Sequence, residues 1–121
     1  MIHARGGEIK MDSILTSIKK MLGIEEDYQH FDPELIIFIN AAFGVLFQLG
    51  VGPTDKPFTI SDDGAEWDDF KVGDQIETVK SYVFAKVKLQ FDPPSSSFVL
   101  SSYQDLIKEF EWRCMVDAET P

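Results

Sequence analysis

DPELIIFINAAFGVLFQLG, residues 32–50, decides the fold. Asp32 suits a helix N-cap, Pro33 its first turn, and Glu34 places negative charge where the helix dipole favours it. Gly50 offers the stop. Between them, Leu35, Ile36, Ile37, Phe38, Ile39, Phe43, Val45, Leu46, Phe47 and Leu49 surround the whole circumference of the helix. A helix apolar all round is buried on every side or meets another chain. Three further helices of a short chain do not comfortably cover so wide a surface. Phe38, Phe43 and Phe47 are therefore candidate interface residues, and the chain is expected to oligomerise.

Toward the N-terminus, Asp12 is the expected cap of a shorter helix over residues 12–22. Ile14, Leu15, Ile18, Met21 and Leu22 stand there at helical spacing, with Gly23 at the end. Residues 1–10 show neither helical nor strand periodicity. Arg5-Gly6-Gly7-Glu8 back-translates into a purine-rich run resembling a bacterial ribosome-binding site, a short spacer before Met11. Met11 is the expected biological start. On this reading residues 1–10 are a translated leader or disordered extension, and 11–121 form a single helical domain.

Toward the C-terminus, residues 50–74 read as irregular, with at most one short strand pair. Phe58-Thr59-Ile60 alternates like a very short strand. The stretch 61–74 sets Asp62, Asp63, Glu66, Asp68, Asp69 and Asp74 against Lys71 alone. Trp67 and Phe70, three residues apart, fall on one side of a helical turn. They resemble an aromatic anchor in a polar rim, and are two further candidate interface residues. Asp74 is the expected cap of a helix over 75–91 with Ile76, Val79, Val83 and Val87 on one stripe. Phe91-Asp92-Pro93-Pro94 ends it. Ser95, Ser96 and Ser97 offer a cap for a last helix over 97–115. Its expected apolar face is Val99, Tyr103, Leu106, Ile107, Phe110 and Cys114, with 117–121 fraying. The expected fold class is all-α: a small bundle of about four helices with an irregular acidic insertion between the second and third.

The chain has 121 residues and a formal net charge of −10, from 11 Lys and Arg against 21 Asp and Glu. With 10 Phe, 3 Tyr and 2 Trp it holds ample material for a core, which excludes intrinsic disorder. Its acidity argues against wrapping nucleic acid and favours a partner with a basic face, or a surface that repels phosphate. Cys114, the single cysteine, excludes an intrachain disulfide and a multi-cysteine metal site. No apolar run reaches the ~20 residues that span a bilayer, and no signal-peptide core opens the chain. It reads as an intracellular, soluble protein.

No segment carries recognisable catalysis. The acidic cluster Asp62–Asp69 lacks the oxygen spacing of a calcium loop and reads as a solvated loop. Cys114 reads as a buried, inert thiol and His30 as a residue satisfied by local packing. The serine run has no nucleophile context, and the glycines form no phosphate-cradling loop. Trp67 and Trp112 divide evenly between core anchoring and partner binding. No enzymatic activity, cofactor or structural metal is expected.

Eight segments then carry a resemblance. They are SILTSIKKMLGI (13–24), HFD (30–32), QLGVGP (48–53), ISD (60–62), WDDF (67–70), VKSYV (79–83), FDPP (91–94) and EFEW (109–112). In this order they resemble a head–tail connector, or neck adaptor, of tailed phages, of the prophage type from Gram-positive bacteria. The likeness extends from Met11 to about Val116, and residues 1–10 depart from it. It implies a small helical protein that forms a ring beneath the portal, extends the DNA channel and docks the next neck or tail protein. The implied partners are further copies of itself, the portal protein and a downstream neck or tail protein. Duplex DNA would pass through without specific binding, and no membrane is involved. The implied location is the virion neck, and the host cytoplasm during assembly. The family has no catalytic residues to transfer. Two other readings stay open: an acidic DNA mimic that blocks a nucleic-acid-binding protein, and a carboxylate metal-dependent enzyme built on Asp62–Asp69.

Overall fold

The computed structural model describes residues 13–119, in four α-helices: α1 (Ile14–Leu22), α2 (Asp32–Gln48), α3 (Ile76–Phe91) and α4 (Ser97–Glu119). Two 3₁₀ turns, Trp67–Phe70 and Gly73–Gln75, lie between α2 and α3. The all-α expectation holds. The expected leader, residues 1–10, lies outside the described residues. Among the described residues, the sole β feature is an antiparallel bridge between Ser13 and Glu66.

Capping differs from expectation at three helices. Ser13 caps α1 by accepting from the Thr16 amide at 3.2 Å; the residue expected in that role, Asp12, lies outside the described residues. At the other end Gly23 takes φ +82°, and Ile24 N–H reaches back to the Lys19 carbonyl at 2.9 Å, which closes the helix in a Schellman turn. Asp32 does not cap α2. It is the first helical residue, behind an N-cap at Phe31 that makes no side-chain hydrogen bond. Its carboxylate serves Lys19 instead, whose buried Nζ lies 2.9 Å from Asp32 Oδ1 and donates to the Glu26 carbonyl at 2.8 Å. A buried ammonium needs compensation more than a helix end needs a cap. Asp74 likewise sits inside a 3₁₀ turn, and α3 starts behind Gln75 without a side-chain cap. The serine expectation holds at α4, where Ser96 Oγ accepts from Val99 N–H at 3.3 Å.

The core takes Leu35, Ile39, Ala42, Phe43 and Leu46 from α2 and Val79, Tyr82, Val83, Ala85 and Val87 from α3. Ile14, Leu15 and Ile18 close it from α1. The girth of α2 finds its cover in the irregular segment, an inference the helix count alone missed. Phe43 meets Phe58, Trp67 and Phe70 at ring centroid distances of 5.1, 6.2 and 4.8 Å. Phe58–Ile60 is not a strand. Its backbone pairs with a side chain: Ile60 N–H donates to Asn40 Oδ1 at 2.8 Å, and Asn40 Nδ2 donates to the Ile60 carbonyl at 2.9 Å. One carboxamide thus does what a neighbouring strand would do. Gly52 completes the wrap. It has φ +95°, and a Cβ there would stand 2.6 Å from the Phe70 ring.

The fourth helix is placed differently. Its main contact is with α3, with none of comparable extent from α1 or α2. It continues to Glu119, past the fraying point expected near 117. Ile107 is its buried residue, while Tyr103 and Phe110 pack partly against the core. Val99 and Leu106, expected on the buried face, are both 40% exposed.

Candidate interaction surfaces

The five residues singled out from the sequence separate into two groups. Phe43, Trp67 and Phe70 lie in the core of their own chain. Phe38 and Phe47 are half-buried and keep part of each ring at the surface of α2. Beside Phe38, Ile37 is 65% exposed.

The acidic insertion shows why its aromatics turn inward. The 3₁₀ turn eclipses residues three apart, so Trp67 and Phe70 do share one side, as their spacing indicates. That side faces α1 and α2. Trp67 Nε1 donates to Ser17 Oγ at 2.8 Å, and Ser17 Oγ donates to the Ile14 carbonyl at 3.0 Å, which ties the insertion to the first turn of α1. A reciprocal capping box holds the turn: Glu66 N–H donates to Asp69 Oδ2 at 2.9 Å while the Glu66 side chain accepts from the Asp69 amide. Asp62, Asp63, Asp68 and Asp69 are left on the exposed side. Lys80 Nζ lies 5.8 Å from the Trp67 ring centroid. The segment is an aromatic lid with a carboxylate exterior.

The larger exposed apolar surface is on α4, and it includes Trp112, which the sequence left even between core and partner. Phe98 is 80% and Trp112 63% exposed, and Met115 is also exposed. The signal was present as surplus: α4 carries more large apolar residues than one buried stripe uses, and those off the stripe belong to the outside. Beside this face runs a groove of about 650 Å³ between α3 and α4. Leu106 and Phe110 give it apolar walls, and Glu77, Asp105, Glu109 and Arg113 charge its edges. Arg113 Nη2 donates to Glu109 Oε2 at 2.6 Å.

A buried polar clasp fixes α4 to α3. Tyr82, wholly inside the core, donates its hydroxyl to Glu111 Oε2 at 2.7 Å and stacks against Phe110 at 4.6 Å. Burial first, and then the Glu111 carboxylate, push the Tyr82 phenol far above its ordinary range. Cys114, a half-buried free thiol, is also raised, by burial and then by Asp117 and Glu111. That direction disfavours a thiolate nucleophile. His30 is exposed and meets Phe31 edge-on at 4.9 Å.

Among the described residues no group of three or more His, Cys, Asp or Glu side chains converges in a way that would hold a metal ion. No described helix is long and apolar enough to cross a membrane. No curated protein and no solved structure matches the chain. A family profile described as phage connector protein matches residues 14–121, from the first residue of α1 onward. An all-helical domain with a carboxylate exterior and an outer helix rich in exposed apolar groups, matched over nearly its whole length, belongs to the phage connector protein family.

Proposed function

We propose that this structural phage connector works as a ring subunit in the virion neck, seated under the portal and passing the DNA channel on to a neck or tail protein. The family match supports the connector role. The observation that carries the ring is exposed apolar surface on α2: Ile37, 65% exposed, with the half-buried ring of Phe38 beside it. A ring built head to tail uses two different patches per subunit, and the α2 surface supplies one of them. Phe43, Trp67 and Phe70 back the α2 patch from inside.

The charge fits a channel component. Carboxylates repel phosphate, so a duplex slides past without the contacts that would hold it. At −10 per chain the same charge opposes assembly of like subunits, and association strengthens as salt screens it. In this reading the connector is assembled in the host cytoplasm, binds no cofactor and performs no catalysis.

The test is Ile37→Glu, introduced into a phage that depends on this connector. Ile37 points outward, so the subunit folds, but a carboxylate enters the proposed subunit contact. Heads are expected to lack a ring below the portal and to remain unjoined to tails. Normal joining, with an intact ring in particle images, overturns the assignment of this patch.

A further inference from the structure

Residues 98, 102, 105, 109 and 112 follow one another along α4 by steps of four and three. At 3.6 residues per turn that spacing keeps them on one face, the register with which helices meet other helices. All five are exposed. Their order is Phe, Ser, Asp, Glu, Trp: an aromatic at each end and carboxylates between. The Asp105 carboxylate has neither a hydrogen bond nor an ion pair to another described residue, and the edge of the adjoining groove sets three carboxylates against one guanidinium.

We propose that this outward face of α4 is a docking strip for a helix of another protein, one with Lys or Arg at its centre and apolar side chains about a turn to either side. Charge selects this occupant. A second copy laid antiparallel on the strip, Phe98 against Trp112, would bring Asp105 against Asp105, and a parallel copy would set each carboxylate against itself. Nor do the described residues offer a suitable helix elsewhere. No two of its basic residues in described helices stand three or four positions apart, and Lys80 and Lys88 are already paired with Glu77 and Asp92. The strip spans about 21 Å of helix, at 1.5 Å per residue. Alone it falls short of the roughly 800 Å² per partner that stable complexes bury, so it makes one contact within a larger assembly. The proposal rests on the connector reading only for where the partner comes from.

Two synthetic helical peptides test it against the full chain near physiological salt. Both carry leucines at the outer seam positions; one has two lysines at the inner positions, the other two glutamates. The lysine peptide is expected to bind at least ~10-fold tighter, a difference of about 1.4 kcal/mol. Its amide shift changes should centre on residues 98–112. Asp105→Lys with Glu109→Lys should reverse the preference. Asp62→Lys with Asp68→Lys, the same change of charge on the insertion, should keep it. Equal loss in both double variants would show attraction to net charge alone and overturn the strip. So would shift changes centred elsewhere, or self-association of the chain through α4. Failure here leaves the ring untouched, because the Ile37→Glu particles decide that. Normal joining of the Ile37→Glu particles with peptide binding intact overturns the ring patch and spares the strip.

Discussion

Helices α2 and α4 are both rich in large apolar residues, yet one is wrapped and the other is open. α2 has α1 and α3 beside it and the aromatic lid of residues 58–70 over Phe43. α4 has α3 and little else. The difference teaches that exposure is a property of the neighbours a helix is given rather than of its own composition. An irregular segment with three inward aromatic rings covers a helix as effectively as another helix does. The acidic residues of that segment conceal this role from anyone reading charge along the chain.

The most severe way to break the wrapped side is to remove its hub. Phe43→Ala should cost about 3–5 kcal/mol, the range for deleting a buried phenylalanine, and urea melts would read it. A cost below about 1 kcal/mol would mean that the lid does not close on α2. Next comes Gly52→Ala, which forces a Cβ against the Phe70 ring at a backbone angle that favours glycine. About 2–3 kcal/mol is expected, with Phe70→Leu partly relieving the clash in a double-mutant cycle.

The clasp between the two regions comes third. Tyr82→Phe deletes a hydrogen bond to a carboxylate, and a loss of about 1.5–2 kcal/mol is expected. Hydrogen exchange should rise in α4 before α2. The sign of its pH dependence follows from the direction of the shift. A phenol whose folded pKa is raised contributes stability that is fully present below the unfolded value, about 10, and that fades as pH climbs above it. Melting temperature should therefore fall above that pH more steeply in the wild type than in Tyr82→Phe. The smallest effect belongs to the open side: Trp112→Ala should change stability by no more than about 0.5 kcal/mol.

Much of the bundle was legible because its punctuation is local. Gly23, the Pro33 turn, Pro93-Pro94 and the serine run mark helix ends through the backbone of a few neighbouring residues, and all four helices followed from them. What escaped depends on contacts far along the chain. Asp32 has the chemistry of a cap, but Lys19 is folded against it, and no local pattern announces that. Asn40 looks like a polar interruption of an apolar helix, yet it holds the backbone of Ile60, twenty residues on. Trp67 and Phe70 were placed on the same side correctly, but which side faces the core is decided by Ser17 and Phe43. On α4 two apolar stripes compete, and one neighbouring helix can bury only one. Of the interface candidates, Phe38 and Phe47 keep a surface, and Trp112, even between core and partner in the sequence, stands exposed.

The unequal placement of the two tryptophans has a practical consequence. Trp67 is sealed under the lid with its indole nitrogen bonded to Ser17, and Trp112 stands in solvent. The protein therefore carries two intrinsic optical probes of different character, one emitting from an apolar site and one from water. Each can be isolated by replacing the other with phenylalanine. A chain holding Trp67 alone reports unfolding of the core by a red shift. A chain holding Trp112 alone is open to quenching by iodide or acrylamide, and any partner that covers α4 should shield it. Folding and assembly can thus be followed separately in the same molecule, without attaching a dye.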